Sequence, residues 1–296
     1  CDKINPYLVP GDNYFIESRS TPICNVSKMN FGSRTVDGGG LILSEEEKQK
    51  FIKENPISEK WIRPFIGAEE FINNKKRYCL WLKDAEPSEL KKCNLVLERI
   101  RFVKEFREKS KSKITREKAE TPTLFYHTLH PDTDYLVVPS TTSSTRKYIP
   151  IGFMDKCVIA SNATHIIPNA TLYEFGVLTS NVHMAWMKLV AGRLGNGYRY
   201  SKDIVYNNFP WPEPTKEQKD KIEETAKQIL EVRKKYENST LADLYNELTM
   251  PIDLRKAHKE NDKAVFEAYG FKAREIGESE LVEKLMELYK KNEEGI

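Results

Sequence analysis

The sequence predicts an α+β protein, with a mixed α/β body over residues 1–213 followed by a small all-α helical domain over 214–296. Three observations predict it. Short apolar runs bounded by turn residues recur through the body, as at Tyr78-Cys-Leu-Trp-Leu82 and Tyr135-Leu-Val-Val138. One long stretch among them, 88–113, repeats its apolar residues at spacings of three and four. Pro210, Pro212 and Pro214 then interrupt the chain, and beyond them the apolar spacing is helical throughout.

The elements follow in order. Tyr14-Phe15-Ile16 and the run 78–82 are expected to be short buried strands. Gly38-Gly39-Gly40 connects into Leu41-Ile42-Leu43, and Ser44 then caps a helix whose first turn holds Glu45, Glu46 and Glu47. Over 88–113, Ser88 is the expected cap and Leu90, Cys93, Leu97, Ile100, Val103 and Phe106 form the apolar face. The remaining faces carry Lys and Arg, including Arg99, Lys104 and Arg107. They suit a solvated surface and also a path for a phosphate backbone. Residues 121–180 read as strands and turns, at 135–138, 148–153 and 157–160; residues 181–192 read as helix, and Val205-Tyr206 as a strand. Thr215-Lys-Glu-Gln218 is a capping box, followed by helical spacing at Ile222, Ala226, Ile229, Val232 and Tyr236. Further helices are expected at about 240–248, 252–269 and 279–292.

Composition narrows the class. Of 296 residues, 39% are hydrophobic and 31% charged, as in a water-soluble globular chain. No apolar run is long enough for a membrane helix, and the start does not resemble a secretory leader. A first residue other than Met suggests a piece of a longer protein. The cysteines (Cys1, Cys24, Cys79, Cys93 and Cys157) are odd in number and form no C-x-x-C. A zinc site or disulfide framework is therefore not expected, and a reducing cytoplasm is the natural setting. The net charge is +3, but residues 214–296 hold 16 Lys and Arg against 19 Asp and Glu, so the excess cations lie in the body.

The densest concentration of candidate binding residues is 181–212. It interleaves His183, Trp186, Tyr198, Tyr200 and Trp211 with cations such as Arg193 and Arg199, around Gly195-Asn196-Gly197. Cations meet phosphates and flat side chains meet bases, so the stretch reads as a nucleic-acid surface. The segment Ser140-Thr-Thr-Ser-Ser-Thr-Arg-Lys-Tyr148 offers hydroxyls, two cations and a ring, and reads equally as such a surface or as an ordinary Ser/Thr-rich loop. Other candidates are weaker. Asn5-Pro6-Tyr7 has part of the motif with which amino-methyltransferases hold a flipped base, but lacks its second proline. His127-x-x-His130 has no further ligand at metal spacing. Gly38–Gly40 lack the partners of a phosphate loop, and Glu217-x-Lys219 lies in a capped helix start. His183 and His258 read as helix or core residues.

Several segments, in order along most of the chain, resemble the MmeI-like enzymes, the type IIL restriction-modification proteins in which nuclease, adenine methyltransferase and DNA recognition share one polypeptide. They include Ile4-Asn-Pro-Tyr-Leu8, Lys28-Met-Asn-Phe-Gly32, Trp61-Ile-Arg-Pro-Phe-Ile-Gly67, Arg77-Tyr-Cys-Leu-Trp81 and Ser143-Ser-Thr-Arg-Lys-Tyr-Ile-Pro-Ile-Gly-Phe153. Gly192-Arg-Leu, Tyr198-Arg-Tyr-Ser201, Asn208-Phe-Pro-Trp-Pro212, Met250-Pro251, Leu254-Arg-Lys-Ala-His258 and Ala268-Tyr-Gly-Phe271 follow. The resemblance implies a target recognition domain up to residue 213 and a helical C-terminal domain from 214. The nuclease and the methyltransferase core, with its S-adenosylmethionine loop, would lie upstream in the same polypeptide. The fragment is then expected to hold no cofactor, metal or catalytic residue, and its partners are double-stranded DNA and that upstream domain. The implied DNA-binding residues are Ser143, Ser144, Arg146, Lys147, Tyr148, Arg193, Gly195, Asn196, Gly197, Arg199, Tyr200 and Ser201. In the family, two positions just before the Tyr-Arg-Tyr-Ser carry opposite charges that choose the orientation of a G·C pair. Here they are Gly195 and Gly197, which offer no side chain. Arg146 suits a bidentate guanine contact, worth about 1–3 kcal/mol, and equally a phosphate contact. The rival readings are a separate specificity subunit, the substrate-binding domain of an RNA-modifying enzyme, and a scaffold that binds neither nucleic acid.

Overall fold

The computed structural model describes residues 6–7, 15–272 and 276–295. By packing, the chain forms two units. The larger comprises 1–30, 134–153 and 167–296, and the smaller 31–133 and 154–166. These are divisions by compactness, whereas the pieces 1–213 and 214–296 expected from sequence are divisions by descent, and the two need not coincide.

The smaller unit follows from its turns. After the two-residue β1 (Asn30–Phe31), Gly38 and Gly39 take φ of +62° and +87°, which glycine adopts without a Cβ clash. The Asp37 carboxylate accepts from the Leu41 amide at 2.7 Å, and the chain enters β2 (Ile42–Leu43). Ser44 is the expected cap of α1 (Glu45–Glu54), and it forms a capping box, its side chain accepting from the Glu47 amide while the Glu47 carboxylate accepts from the Ser44 amide. β3 (Ile62–Ile66), α2 (Ala68–Asn73) and β4 (Tyr78–Leu80) follow. With the later β8 (Ile159–Ala160), the strands form a sheet of order β2-β4-β3-β8 over a core of Leu41, Leu43, Phe51, Trp61, Leu80, Val96 and Val103.

The single helix expected over 88–113 is three. α3 (Pro87–Leu90) and α4 (Asn94–Glu108) are separated by an extended Cys93 at φ −118° and ψ 90°, and α5 (Lys113–Glu117) is capped by Ser112. Cys93, not Ser88, stands at the N-cap of α4. The expected polarity of α4 is partly inverted as well. Phe102 and Phe106 are 49% and 42% exposed, while Arg107 is fully buried. The Arg107 guanidinium donates to the carbonyls of Thr35, Val36, Lys118, Thr121 and Leu124, tying two loops to the helix. Phe15 is 67% exposed and forms no strand, and Tyr14 lies outside the described residues.

In the larger unit, β5 (Tyr135–Pro139) leads into β6 (Thr141–Ser143), and β7 (Gly152–Met154) pairs with β5. The expected strand at 148–153 therefore shrinks to its end. Beyond β9 (Thr164–Pro168) the chain forms α6 (Leu172–Leu178), where only strands and turns were expected. Thr171 and Glu174 form its capping box. Next come α7 (Asn181–Val190), β10 (Gly192–Leu194) and β11 (Gly197–Arg199). A single π-helical turn at Lys202–Tyr206 replaces the expected strand. The Asn207 amide bonds the Lys202 carbonyl and the Val205 amide bonds the Ser201 carbonyl, so these backbone groups are satisfied locally.

Four C-terminal helices occur in the expected order, α8 (Lys216–Lys234), α9 (Leu241–Leu244), α10 (Ile252–Ala268) and α11 (Glu278–Glu294), with α9 shorter than the expected 240–248. They do not stand apart. α8 packs on α6 and α10, and α11 packs on α7. Gly176 of α6 lets α8 approach closely, since a Cβ there would sit 2.6 Å from Ile222 Cγ2. Asn261 of α10 donates to the Gly176 carbonyl at 2.8 Å. Body and helices share one core that includes Trp186, Phe209, Ile222, Leu254 and Tyr289.

Candidate nucleic-acid interface

Two segments far apart in sequence meet in one small sheet. β10 and β11 form a hairpin, and β11 pairs antiparallel with β6, setting Gly197 opposite Ser143, Tyr198 opposite Thr142 and Arg199 opposite Thr141. The hairpin turn is Gly195-Asn196. Gly195 takes φ +56° and Asn196 does not take positive φ, the sign pattern of a turn whose twist suits a hairpin. Gly197 answers a different need: a Cβ there would lie 2.8 Å from the Thr142 carbonyl oxygen. Gly195 and Gly197 are thus held by turn geometry and by strand spacing respectively.

Facing residues across strands share a face of the sheet. One face holds Thr142 and Tyr198, both buried, with the Arg193 guanidinium 3.9 Å from the centre of the Tyr198 ring. The other carries Thr141, Ser143, Arg199, Leu194 and two glycines, and Leu194 is 60% exposed. Asn196 is exposed at the hairpin tip. β6 runs into a tight turn in which the Ser143 hydroxyl meets the Thr145 hydroxyl at 2.9 Å and the Arg146 amide bonds the Ser143 carbonyl. Ser144 and Lys147 are exposed, Ser201 is half-buried, and so is Arg146. Burial alone lowers the Arg146 pKa, with no carboxylate acting on it, and its guanidinium has no hydrogen-bond or ion-pair partner among the described residues. A half-desolvated cation without a counter-ion is poised for an external anion or acceptor.

The aromatic residues do other work. His183, Trp186 and Tyr206 are fully buried, as is Phe209, and Tyr148, Tyr198, Tyr200 and Trp211 are each less than a tenth exposed. The reading of 181–212 as rings that stack on bases is therefore corrected: the rings build the core, while Arg193, Arg199 and the hairpin tip are exposed. Tyr148 and Tyr200 anchor the two segments from within. The Tyr200 hydroxyl meets His183 Nε2 at 2.9 Å. The Tyr148 hydroxyl donates to Asp262 Oδ2 at 2.8 Å, and its ring stacks 4.1 Å from that of His258. His258 Nε2 in turn meets the Tyr245 hydroxyl at 2.7 Å, which Arg233 also contacts while donating to the Ile151 carbonyl. Burial lowers His183 to about 3 and drives His258 well below its ordinary value, so both rings are neutral core groups, as expected.

Asp262, Arg233 and Tyr245 were missed by the sequence reading. Asp262 does leave a trace, since it falls on the apolar stripe of α10 marked by Leu254, His258 and Val265. Asn5 lies outside the described residues. The Tyr7 hydroxyl accepts from the Ile16 amide. His130 meets the Lys156 carbonyl, and no group of residues suited to a metal ion occurs among the described residues. Glu217 and Lys219 lie in the first turn of α8. No helix of the described residues is long and apolar enough to cross a membrane.

Comparison with known proteins bears on this geometry. Residues 10–213 match the family described as "MmeI, target recognition domain" and residues 214–296 the family "MmeI, C-terminal domain". The chain is 44% identical over 287 residues to DNA methyltransferase A of Bacillus subtilis (strain 168), a match covering 97% of this chain and 32% of that protein. Among solved structures, it resembles the type IIL restriction-modification enzyme MmeI in complex with DNA. The identity is 47% and the TM-score 0.95, over 99% of this chain and 39% of that one. The chain therefore spans about a third of the length of these relatives.

Proposed function

This chain belongs to the MmeI family of restriction-modification proteins, as a target recognition domain followed by a C-terminal domain, and we propose that it reads a short duplex DNA sequence for an adenine-specific methyltransferase carried by the same polypeptide. Residues 1–213 supply the reading surface and 214–296 the helical support. The observation that carries the reading is the sheet that joins the Ser143–Arg146 turn to the 192–199 hairpin, with a half-buried Arg146 lacking a counter-ion beside it. The solved MmeI relative, bound to DNA, supports the choice of partner.

The residues divide by exposure. Arg193, Arg199 and Lys147 present cations for phosphates, and Ser143, Ser144 and Ser201 present hydroxyls. Arg146 can offer two parallel N–H donors to the O6 and N7 of a guanine in the major groove, worth about 1–3 kcal/mol of discrimination. At the hairpin, Gly195 and Gly197 leave Asn196 and the bare backbone to meet a base edge. Tyr148 and Tyr200 position these segments and do not touch the bases. The methyl donor of the whole protein is S-adenosylmethionine, which supplies an electrophilic methyl group. No residue of this chain is assigned to it, and its site is proposed upstream. The upstream domain would flip the adenine, because a stacked base is out of reach. The setting proposed is the cytoplasm, where such DNA lies.

The test uses the whole protein. Incubated with S-adenosylmethionine and unmodified genomic DNA, it is expected to methylate adenine within one short motif, mapped by single-molecule sequencing. A folded, cofactor-binding protein that leaves DNA unmethylated and instead modifies structured RNA would overturn the reading.

A further inference from the structure

The two reading segments share one internal support. Asp262 of α10 is buried, and its two carboxylate oxygens point to different parts of the surface described above. Oδ2 accepts from the Tyr148 hydroxyl, which ends the Ser143–Lys147 turn, and Oδ1 accepts from the Asn181 amide, the first residue of α7, each at 2.8 Å. α7 runs with a single intervening residue, Ala191, into β10 of the hairpin. The first turn of α7 also holds His183, on which the Tyr200 hydroxyl rests at the far end of β11. One carboxylate is thus fastened to the turn that carries Arg146 and to the helix that launches and receives the hairpin.

We infer that Asp262 is a positioning residue of the C-terminal domain that sets the register of the Arg146 turn relative to the 192–199 hairpin, so that sequence discrimination depends on a helix that does not itself read DNA. The inference rests on the function proposed above. Its physical basis is that a base-reading arginine must be held to within a fraction of an ångström, and loops achieve this only when side chains behind them are locked. Here the Tyr148 bond is shielded from water, since Tyr148 is 1% exposed and Asp262 7%, and the Asn181 bond is partly so. Burial pushes the Asp262 carboxyl up to about 6, against the Asn181 amide, the Tyr148 hydroxyl and Lys147, which favour its ionised form. The stack of Tyr148 on His258, itself held by Tyr245, prevents the ring from swinging away.

The decisive comparison sets Tyr148→Phe and Asp262→Ala against Ile229→Ala, a core change in α8 that removes neither bond and is expected to lower the melting temperature. Binding is measured on the motif found by methylation mapping and on its single-base variants. Tyr148→Phe and Asp262→Ala are expected to bind non-cognate duplex within about threefold of the parent and with the same salt slope, while discrimination at the base met by Arg146 falls about tenfold. The double variant is expected to lose no more than the Asp262 variant alone, because the bond that Tyr148→Phe removes is one of the two that Asp262 makes. Unchanged discrimination, or a uniform loss for every duplex like that of Ile229→Ala, would overturn the inference. A parent that binds all duplexes alike would overturn the underlying function instead. Amide hydrogen exchange without DNA then tests the link by itself: Asp262→Ala is expected to speed exchange at 143–147 and at 181–185 together, and acceleration of one segment alone would refute the coupling.

Discussion

At the scale of single residues, the interface is defined by what each side chain lacks. Arg146 lacks a counter-ion, and Arg146→Ala is expected to weaken cognate binding in one of two ways. Loss confined to one base position means that the guanidinium reads a base. A uniform loss with a salt slope shallower by about one means that it holds a phosphate, and binding unchanged on every duplex would remove this turn from the interface. Gly197 lacks a Cβ because the Thr142 carbonyl occupies its place. Gly197→Ala should therefore force β11 away from β6 and cost about 1–3 kcal/mol in urea unfolding. Gly195→Ala, open to solvent but at φ +56°, should cost about 1 kcal/mol through backbone strain alone. A Gly197→Ala protein as stable as the parent would contradict the close approach of Thr142, and a Gly195→Ala protein as stable as the parent would contradict the backbone strain.

Among the elements, those specified by their own ends were legible in the sequence. Ser44 with Glu47 and Thr215 with Gln218 announce α1 and α8, because a capping box satisfies orphan amides within four residues of chain. The same signal, Thr171 with Glu174, marks α6 but was overlooked among short strands. The break between α3 and α4 and the inverted polarity of α4 were not legible. Arg107 resembles any surface cation until five carbonyls from two distant loops converge on it. Replacing it with Met leaves those carbonyls buried without a donor. Arg107→Met is therefore expected to destabilise the smaller unit by at least about 3 kcal/mol, seen as early loss of amide protection over 35–36 and 118–124. Protection equal to the parent's would show that water replaces the guanidinium.

For the molecule as a whole, buried titrating groups set its response to acid. His183 is lowered from 6.5 to about 3 by burial, so the unfolded chain takes up its proton first. The stability of the neutral ring is complete above pH 6.5 and drains away as the pH falls toward 3, on the order of 5 kcal/mol in all. His258 acts in the same direction. Asp262 has the opposite sign: raised from 3.8 to about 6, its contribution is present below 3.8 and lost as the pH rises through 6. Two histidines outweigh one carboxylate, so the melting temperature is expected to fall steadily from pH 7 to pH 4, and less steeply in His183→Gln. A flat profile would mean that His183 is hydrated.

The sequence by itself determined the helical C-terminal domain, the family resemblance and the two segments, 143–148 and 193–201, on which a reading surface was sought. These are local properties: spacing, caps, turn residues and ordered motifs are complete within a short length of chain. Only the tertiary structure decided that the segments form one sheet, that Tyr148 and Tyr200 face inward, and that Asp262 of α10 is fastened to one segment and to the helix that leads into the other. The reason is physical. An aromatic residue beside a cation has the same sequence whether it faces a base or the core, and its direction is chosen by strand pairing and by the burial of groups far away along the chain.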